Sequence, residues 1–450
     1  MNYEKIKSIV LTVLVCISVF LTFNLWTYSP GYDTINSDGA YDVSVGEKLK
    51  DNELNTHLIK PFKLYYHGRD KTVGTSSQTE MDKVTEQLGK WSLFEIKNVS
   101  NEYSFQEINT LIQSKDKVEL VYPDIVPLSV FSQGLNLEEK NISTASFNRI
   151  VIDLDNDNRD TGSIFFITVS DDKKEKAVYE SQVSLASLDS FKRNFVQRAL
   201  YNSAYRQYVE QPINEKKTIF LPKDAEDYVS YYYYTELSSL EEYKQALFSD
   251  PNSVNMGSVD DLATYMDVSS ILTVDKSHNT FSFVNPSEEK DDGSSPAMLV
   301  QKSMEFVNDH GGWTDDYQLF SISPYENKIV YRLFLQNHPV FNDNGMAEIS
   351  QTWGQNGINK YSRPYFKLDF SFKDTAEVRL PSGSSVIYAL NQVDSINLDY
   401  VEDIAIGYKM TRDPNESRKL NFEPSWYYKY DGNWLRLPVD DKEGLKDGLE

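Results

Sequence analysis

The sequence is poor in cysteine and histidine, and both shortages exclude kinds of site. Of its 450 residues, Cys16 is the only cysteine, so neither an intramolecular disulfide nor a cysteine-based zinc site can form. No two of the five histidines have the spacing of three or four residues that a helical zinc motif requires. We therefore predict no metal site and no cofactor, with a site assembled by folding as the alternative.

Positive charge is also scarce. Lysine and arginine total 45 against 68 acidic residues, which gives a net charge of −23. Nucleic-acid binding needs a basic stripe that displaces counterions, and the sequence has none, so we expect no nucleic-acid partner. With 40% hydrophobic residues the composition is that of a globular protein, and the length corresponds to roughly two to four folding units.

One segment near the amino terminus is long and apolar. No charged side chain occurs between residues 8 and 32, and residues 9–26 are mostly hydrophobic. A helix needs about 20 apolar residues to cross the hydrocarbon core of a bilayer. Trp26 and Tyr28 lie at its end, where aromatic rings favour the membrane interface. We predict a single transmembrane helix over residues 8–28.

The charges on either side of this segment predict its orientation. Lys5 and Lys7 precede it, whereas Asp33 follows it. Under the positive-inside rule, residues 1–7 form a cytoplasmic tail and the bulk of the chain is extracytoplasmic. A cleaved signal peptide is the alternative, but such peptides have a shorter apolar run and small residues before the cleavage site.

Small and hydroxyl-bearing side chains share one face of the predicted helix. They recur at spacings of three and four residues and are Ser8, Thr12, Val15, Val19 and Thr22. Such a stripe lets a second helix approach closely and bond across the membrane. In the alternative, the hydroxyl groups bond to carbonyls of their own helix. We predict that this face is the partner-binding site.

The rest of the chain has the patterns of an α+β fold. Ser104 and Glu107 have the spacing of a capping box, as do Ser238 and Glu241, and apolar periodicity predicts a long helix over 187–208. Segments rich in β-branched and aromatic residues predict strands, and these include 118–122, 149–154, 163–169, 177–183, 328–335, 365–372 and 385–388. The fold class is therefore α+β, with antiparallel sheets and packed helices.

Turn signals and polar segments suggest where the chain divides. Asp431 and Gly432 predict a tight hairpin near the carboxyl terminus. Residues 286–296 are polar and predict a linker, and Pro212 follows the long helix. We predict a linker at 29–40, extracytoplasmic domains at 41–212, 213–290 and 291–438, and a charged tail at 439–450.

Two motifs invite a chemical interpretation that we do not favour. Asp153, Asp155 and Asp157 have the spacing of a calcium loop, but Asn158 and Ile164 stand where such a loop needs glycine and glutamate. An acidic turn between strands is favoured, with a bound calcium ion as the alternative. Ser170 and Lys173 match the spacing of a nucleophilic pair, but they lie in a polar turn that cannot desolvate the lysine.

Four consecutive tyrosines occur at 231–234. In a strand, two of them would face each way, which predicts one buried and one exposed pair. The exposed pair is either a polar edge of the core or a contact surface, because tyrosine suits interfaces.

Several segments resemble the YycH family. They are residues 2–7, 25–30, 331–341 and 423–426, together with Trp434, and the length and single amino-terminal span are similar as well. This resemblance implies a Gram-positive cell-envelope protein that acts with its sister protein YycI on the sensor kinase WalK of the cell-wall two-component system. It also implies contact among membrane helices, and three outer domains of which the last two share their fold with YycI. The sign of control differs among relatives.

These observations lead to three hypotheses for the function of the chain. The first is a non-enzymatic regulatory subunit that shifts the equilibrium of the kinase through the membrane helix. The second is an extracytoplasmic module that binds a cell-wall fragment or a peptide in a site lined by aromatic residues. The third, and least favoured, is a cell-wall enzyme that uses paired carboxyl groups as acid and base, a pairing that no local sequence signal reveals.

Overall fold

The computed structural model describes residues 46–437, except 132–135, 138–143, 156–159, 171–174, 215–216 and 289–294, together with Val15 and Ser18. The chain forms two compact units, Met1–Asp42 and Val43–Glu450. In the first unit, Val15 and Ser18 are both helical. The helices of the described residues include none with the length and apolar character that a membrane crossing requires. The predicted span at 8–28 lies outside the described residues, apart from those two positions.

A ten-stranded sheet occupies the first half of the second unit. Its strands are β1 (Lys63–His67), β2 (Thr72–Thr75), β3 (Ser92–Asn98), β4 (Lys117–Pro127), β5 (Asn136–Leu137), β6 (Ser146–Asp153), β7 (Thr161–Ser170), β8 (Glu175–Ser184), β9 (Arg206–Asn214) and β10 (Lys217–Pro222). They are ordered β10-β9-β2-β1-β4-β6-β7-β8-β3-β5. Pairing is antiparallel except between β3 and β5. The predicted strands at 118–122, 149–154, 163–169 and 177–183 are confirmed as parts of β4, β6, β7 and β8.

Five helices accompany this sheet in the described residues. They are α1 (Asp51–Leu58), α2 (Gln78–Gly89), α3 (Phe105–Gln113), α4 (Leu128–Phe131) and α5 (Leu185–Tyr201). The predicted capping box is confirmed, because Ser104 accepts from the Glu107 amide and the Glu107 side chain accepts from the Ser104 amide. Both bonds satisfy amide groups that have no partner within a helix.

The long helix is shorter than the sequence predicts. We predicted 187–208, but α5 ends at Tyr201, and Asn202 already has extended backbone angles. From Arg206 the chain is a strand, in which Tyr208 pairs with Thr72 of β2. Ladder hydrogen bonds to two neighbouring strands therefore override the helical pattern of the last turn.

A fourteen-stranded sheet occupies the second half. Its strands are β11 (Glu226–Leu237), β12 (Asn255–Val259), β13 (Leu262–Met266), β14 (Ile271–Asp275), β15 (Thr280–Val284), β16 (Tyr317–Ser323), β17 (Lys328–Leu335), β18 (His338–Phe341), β19 (Glu348–Trp353), β20 (Ile358–Pro364), β21 (Phe366–Leu380), β22 (Val401–Arg412), β23 (Lys419–Tyr430) and β24 (Asn433–Arg436). They are ordered β12-β13-β14-β15-β20-β19-β17-β18-β22-β23-β11-β21, with β16 beside β17 and β24 beside β23. The predicted strand at 328–335 coincides with β17, and the one at 365–372 falls largely within β21.

The described residues of this half form three α-helices, α6 (Leu240–Leu247), α7 (Pro296–Asp309) and α8 (Gly383–Asn391). The cap of α6 is Ser239, which accepts from the Glu242 amide, so the predicted pair Ser238 and Glu241 was wrong by one residue. The predicted strand at 385–388 was also wrong, because these residues lie in α8. Ser382 caps that helix, and a short apolar run does not distinguish a buried strand from a helix.

The predicted hairpin is confirmed. Tyr430 pairs with Asn433, and the two turn residues, Asp431 and Gly432, have φ of 48° and 76°. Two successive positive φ angles are typical of the type I′ turn, whose twist matches that of the flanking strands.

The tyrosine run lies in β11, between β21 and β23. The Tyr231 and Tyr233 rings contact Tyr408 and Phe422. The neighbouring Tyr232 ring faces the opposite side, where it lies 4.2 Å from the Lys419 ammonium group. The predicted alternation is therefore confirmed, but all four tyrosines are half-buried rather than forming one buried and one exposed pair.

The two sheets pack against each other through a cluster of buried aromatic residues. The cluster contains Phe62, Tyr65, Val121 and Phe220 from the first half and Phe320, Phe334, Phe341, Ala405 and Tyr427 from the second. Residues before α1 add a backbone link, since Glu47 and Trp313 form an antiparallel bridge. The second unit is thus one packed body. The strands on either side of the predicted boundary at 290/291 belong to the same sheet, in which β15 pairs with β20. The division into three domains stays a prediction.

Candidate functional site

The membrane face predicted from the sequence lies almost entirely outside the described residues. Of Ser8, Thr12, Val15, Val19 and Thr22, only Val15 is described, and it is helical with 54% of its surface exposed. The partner-binding role of this face stays a prediction.

The described residues enclose a large cleft, with a volume of about 820 Å³, between the two sheets. One wall comes from α3 and from β1, β4, β6 and β10 of the first sheet, and the other from the beginning of β22 and the β23–β24 hairpin. Aromatic and aliphatic side chains line it together with charged ones, and the apolar ones include Phe105, Ile112, Ile125, Ile219, Phe220 and Trp434. A concave site with an apolar lining and a few polar groups is the usual form of a ligand-binding site.

An ion pair between the two sheets lies at this cleft. Lys63 of β1 donates to the Asp403 carboxylate at 2.6 Å and to the Ile404 carbonyl at 3.0 Å. Both side chains are largely buried. Burial lowers the pKa of the Lys63 ammonium group, although the attraction of Asp403 opposes that shift. The pair therefore holds the two walls together.

A second charged group lies deeper in the first sheet. Glu119 of β4 is fully buried, and its carboxylate binds the His67 ring at 3.0 Å and also the Arg149 guanidinium group. Burial would raise the pKa of Glu119, but Arg149 and His67 outweigh it and hold that pKa below its usual value. The same attraction raises the pKa of Arg149 against the effect of its burial.

The far wall of the cleft carries a further ion pair. Lys429 and Glu402 lie 2.9 Å apart on β23 and β22, and Glu402 also accepts from the amide of Gly432 in the hairpin turn. The positive φ of Gly432 turns this amide towards β22. A carboxylate that accepts from both an ammonium group and a backbone amide fixes the position of the turn.

This arrangement favours binding over acid–base chemistry. A general acid at neutral pH needs a carboxyl group with a raised pKa, whereas the pKa of Glu119 is lowered. Lys63 and Lys429 are each paired with a carboxylate. The cleft therefore offers alternating positive and negative groups beside apolar walls, which suits a ligand that carries both charges.

The acidic segment predicted as a turn lies between β6 and β7, and residues 156–159 are outside the described part. The Asp153 carboxylate binds Lys117 and also accepts from the Asp155 amide at 2.9 Å. Among the described residues, no group of three metal-ligating side chains is close enough to hold a metal ion.

Sequence reasoning predicted no cleft; it considered one of the lining residues, Ser170, for a chemical role, and only as an unfavoured nucleophile. Lys63 and Asp403 are 340 residues apart in the chain, and neither belongs to a motif. One sequence signal could have indicated the buried charges of the cleft, namely a charged residue next to or within the apolar run of a strand. Lys63 precedes an apolar stretch in β1, and Glu119 interrupts a buried run in β4. A charge at a buried strand position indicates a buried partner.

The chain thus has an α+β fold in which two extended, mostly antiparallel sheets form one packed body with a cleft between them. Comparison with known sequences then identifies the family. The family profile described as "YycH protein, N-terminal domain" matches residues 4–199, and that described as "YycH protein, C-terminal domain" matches residues 216–444. The chain belongs to the YycH family.

Two comparisons with Bacillus subtilis YycH, one of sequence and one of structure, extend this result. The chain is 25% identical over 464 residues to the Bacillus subtilis (strain 168) protein named "Two-component system WalR/WalK regulatory protein YycH", with all of both chains covered. The crystal structure of YycH from Bacillus subtilis superposes with a TM-score of 0.72 at 22% identity and covers 89% of this chain and 100% of that one. The second similarity supports the fold, including the α+β class predicted from the sequence.

Proposed function

We propose that the chain is a membrane-anchored, non-enzymatic regulator of the WalR/WalK two-component system. The observation that carries the proposal is the match over its whole length to a relative whose name states that role. The family resemblance adds the sensor kinase WalK and the sister protein YycI as partners. The lowered pKa of Glu119 and the paired lysines support binding rather than acid–base catalysis.

The proposed contact is helix to helix within the membrane. In this proposal, residues 8–28 span the bilayer with residues 1–7 in the cytoplasm, and the face with Thr12, Val15 and Val19 packs against kinase helices. A partner changes a two-state equilibrium only through its different affinities for the two states. A coupling of about 1–3 kcal/mol is typical, and hydrogen bonds between membrane helices contribute roughly 0.6–2 kcal/mol each.

Cysteine crosslinking tests the proposed face directly. In a Cys16→Ser background, the variants Val15→Cys and Val19→Cys place a thiol on the proposed face, and Val13→Cys and Ile17→Cys place it on the opposite one. We expect oxidation in native membranes to give crosslinks to a kinase or YycI carrying cysteines in its own span from positions 15 and 19, and far fewer from 13 and 17. Equal yields from both faces contradict a specific helix contact.

Replacement of the span tests whether the contact transmits a signal. An unrelated transmembrane helix of equal length in place of residues 8–28 keeps the anchor but removes the face. We expect the output of WalR-controlled genes to change to the level of a strain that lacks the protein. Unchanged output with normal protein levels contradicts transmission through this helix, whichever sign the regulation has.

The cleft supports a second candidate, an extracytoplasmic module that binds a cell-wall fragment or peptide. Its volume of about 820 Å³ is in the range of small-molecule sites. Titration of muropeptides into the full-length protein, followed by calorimetry, tests this candidate. We expect saturable heat that Phe105→Ala weakens, because the Phe105 ring lines the cleft, and that Phe370→Ala, a change at an exposed ring elsewhere, leaves intact. No heat, or equal loss in both variants, contradicts it.

A further inference from the structure

Strand β12 lies at one end of the second sheet. It pairs with β13 over its five residues in an unbroken register, from Asn255↔Met266 to Val259↔Leu262. All five side chains of β12 are exposed. The backbone groups on its outer side are therefore available to another strand, as at any open sheet edge.

Natural sheet edges are usually guarded against such pairing, and two other strands that end the sheets of this protein, β21 and β10, are guarded. Guards include charged side chains, proline, bulges and covering elements. At the opposite end of the same sheet, β21 has a broken register with β11 and carries Lys367, Asp369, Glu377 and Arg379. At the end of the first sheet, β10 is mostly buried and its Leu221 lies against Gly383 of α8.

None of these guards is present in β12. Its sequence, NMGSV, has no charge and no proline, and its pairing with β13 contains no bulge. At Gly257, a Cβ atom would meet nothing within 4 Å, so no neighbouring element covers this point of the strand. β12 is therefore an unguarded edge, in contrast to β21 and β10.

Apolar side chains surround this edge. Five of the largest exposed hydrophobic side chains of the described residues lie in the hairpin and the turn after it, and these are Met256, Val259, Leu262, Met266 and Val268. Val268 is fully exposed, and Val259 is 74% exposed. By the register of the hairpin, Val259, Leu262 and Met266 lie on one face of it, and a group of exposed apolar side chains on one face indicates an interaction surface.

The charges around the edge select the kind of partner. Between residues 245 and 275 the sequence has no lysine, arginine or histidine, whereas Asp250, Asp260 and Asp261 flank the two ends of β12. Two copies of β12 paired about a two-fold axis at Gly257 would place Asp260 and Asp261 of one copy opposite residues 254 and 253 of the other, and no basic side chain in this segment would offset the negative charge brought together. That repulsion disfavours a second copy and favours a segment with basic ends.

We propose that β12 is a strand-addition site for an extended segment of a partner protein, with alternating apolar side chains between basic residues. Main-chain hydrogen bonds to the open edge would give affinity, and contacts with Val259, on the face that Leu262 and Met266 share, would favour apolar residues at alternate positions of the partner. The proposal concerns a different surface from the membrane helix and the cleft, so it does not rest on the proposed function.

A synthetic peptide with the sequence Lys-Val-Thr-Val-Thr-Val-Lys, acetylated and amidated, serves as the probe. We expect saturable binding to the full-length protein in lipid nanodiscs, measured by fluorescence anisotropy, and weakening by salt because the end contacts are ionic. Replacement of both lysines by glutamate should weaken binding about tenfold or more. Equal binding of the two peptides overturns the proposed charge selection.

N-methylation of the peptide backbone distinguishes strand addition from nonspecific hydrophobic binding. In an added strand, only alternate amide groups bond to the edge. We therefore prepare one peptide N-methylated at its valines and a second N-methylated at its threonines. One of the two should lose binding while the other retains most of it. Equal behaviour of the two methylated peptides overturns strand addition.

Two variants at one position provide the matched control. Gly257→Lys places a charge of the kind that guards natural edges, and Gly257→Ala adds only a methyl group in open space. We expect about a tenfold loss of peptide affinity in the lysine variant and none in the alanine variant. Undiminished binding to Gly257→Lys overturns the proposal. So does concentration-dependent dimerisation that only Gly257→Lys abolishes, since the occupant would then be a second copy.

Discussion

Lys63 and Asp403 form an ion pair of 2.6 Å between strands that are 340 residues apart in the chain. Each belongs to a different sheet, so this contact joins the two halves of the second unit at the mouth of the cleft. The aromatic cluster around Phe62 and Phe341 lies in the same interface. The pair therefore couples the stability of the interface to the shape of the cleft.

Removal of one charge of this ion pair should destabilise the protein more than removal of both charges. In Asp403→Asn the Lys63 ammonium group keeps only uncharged partners such as the Ile404 carbonyl, and we expect a loss of about 1–3 kcal/mol. The double variant Lys63→Met with Asp403→Leu should lose less than the sum of the two single changes. Urea unfolding of the four proteins gives the coupling energy. Strict additivity would mean that the pair contributes nothing to the interface.

Arg149→Met should remove the guanidinium partner of Glu119 and leave its hydrogen bond with the His67 ring. We expect a loss of about 2–4 kcal/mol at pH 7, because the carboxylate is fully buried. The wild-type pKa of Glu119 is below its usual value, so its contribution is present above the unfolded-state pKa and is lost as the pH falls through the folded-state pKa. Without Arg149, burial raises that pKa and protonation relieves the unpaired charge.

The difference in unfolding free energy between wild type and Arg149→Met should therefore shrink between pH 7 and pH 4. Arg149→Lys, which keeps a positive charge near Glu119, should recover much of the lost stability at pH 7. Urea titrations at several pH values measure both effects. A difference that stays constant with pH would show that Glu119 is not the group that responds.

His338 should make the protein sensitive to mild acid. Burial lowers the pKa of His338 to about 4, and its ring lies 3.1 Å from the Ser76 hydroxyl of the first half and packs against Tyr228 and Tyr408. The unfolded chain binds a proton near the ordinary histidine pKa of about 6.5, so the folded state loses stability as the pH falls from there towards 4.

His338→Gln keeps a hydrogen-bonding side chain that does not titrate in this range. Between pH 7 and pH 5 the stability advantage of the wild type over this variant should fall by about 2 kcal/mol. The measurement is the urea midpoint at both pH values, corrected for the slope of each transition. If the free energy of unfolding changed equally with pH in the two proteins, His338 would not be the group that causes the acid sensitivity.

Local signals explain what the sequence could predict. The capping box at Ser104, strand β17 and the hairpin turn at Asp431 depend on neighbours within a few residues, and each was predicted correctly. The same holds for the α+β class, which follows from the period of the apolar residues.

The errors arose where distant contacts decide the structure. Residues 385–388 form part of a helix because Val386 and Leu390 pack into a core built from both halves of the unit, including Leu221. The last turn of the predicted helix at 187–208 became a strand because β2 and β10 lie on either side of it. The cleft depends entirely on such contacts, since its two walls come from different sheets, and no local pattern in one sequence reveals which strands face each other.

The close contact between Gly383 and Leu221 leads to a last prediction. Whether Gly383→Ala raises or lowers the stability of the protein depends on the room for a methyl group between α8 and β10. A Cβ atom at Gly383 would lie 2.2 Å from the Leu221 Cβ and 3.1 Å from the Pro222 carbonyl oxygen. Alanine favours a helix over glycine by about 1 kcal/mol, so Gly383→Ala in the first turn of α8 would stabilise the protein if room existed. We expect instead a loss of about 1–3 kcal/mol, because overpacking forces α8 away from β10. Gly257→Ala, where nothing lies within 4 Å, should change the stability by no more than about 0.5 kcal/mol. A stabilised Gly383→Ala variant in urea unfolding would show that α8 and β10 are farther apart than in this structure.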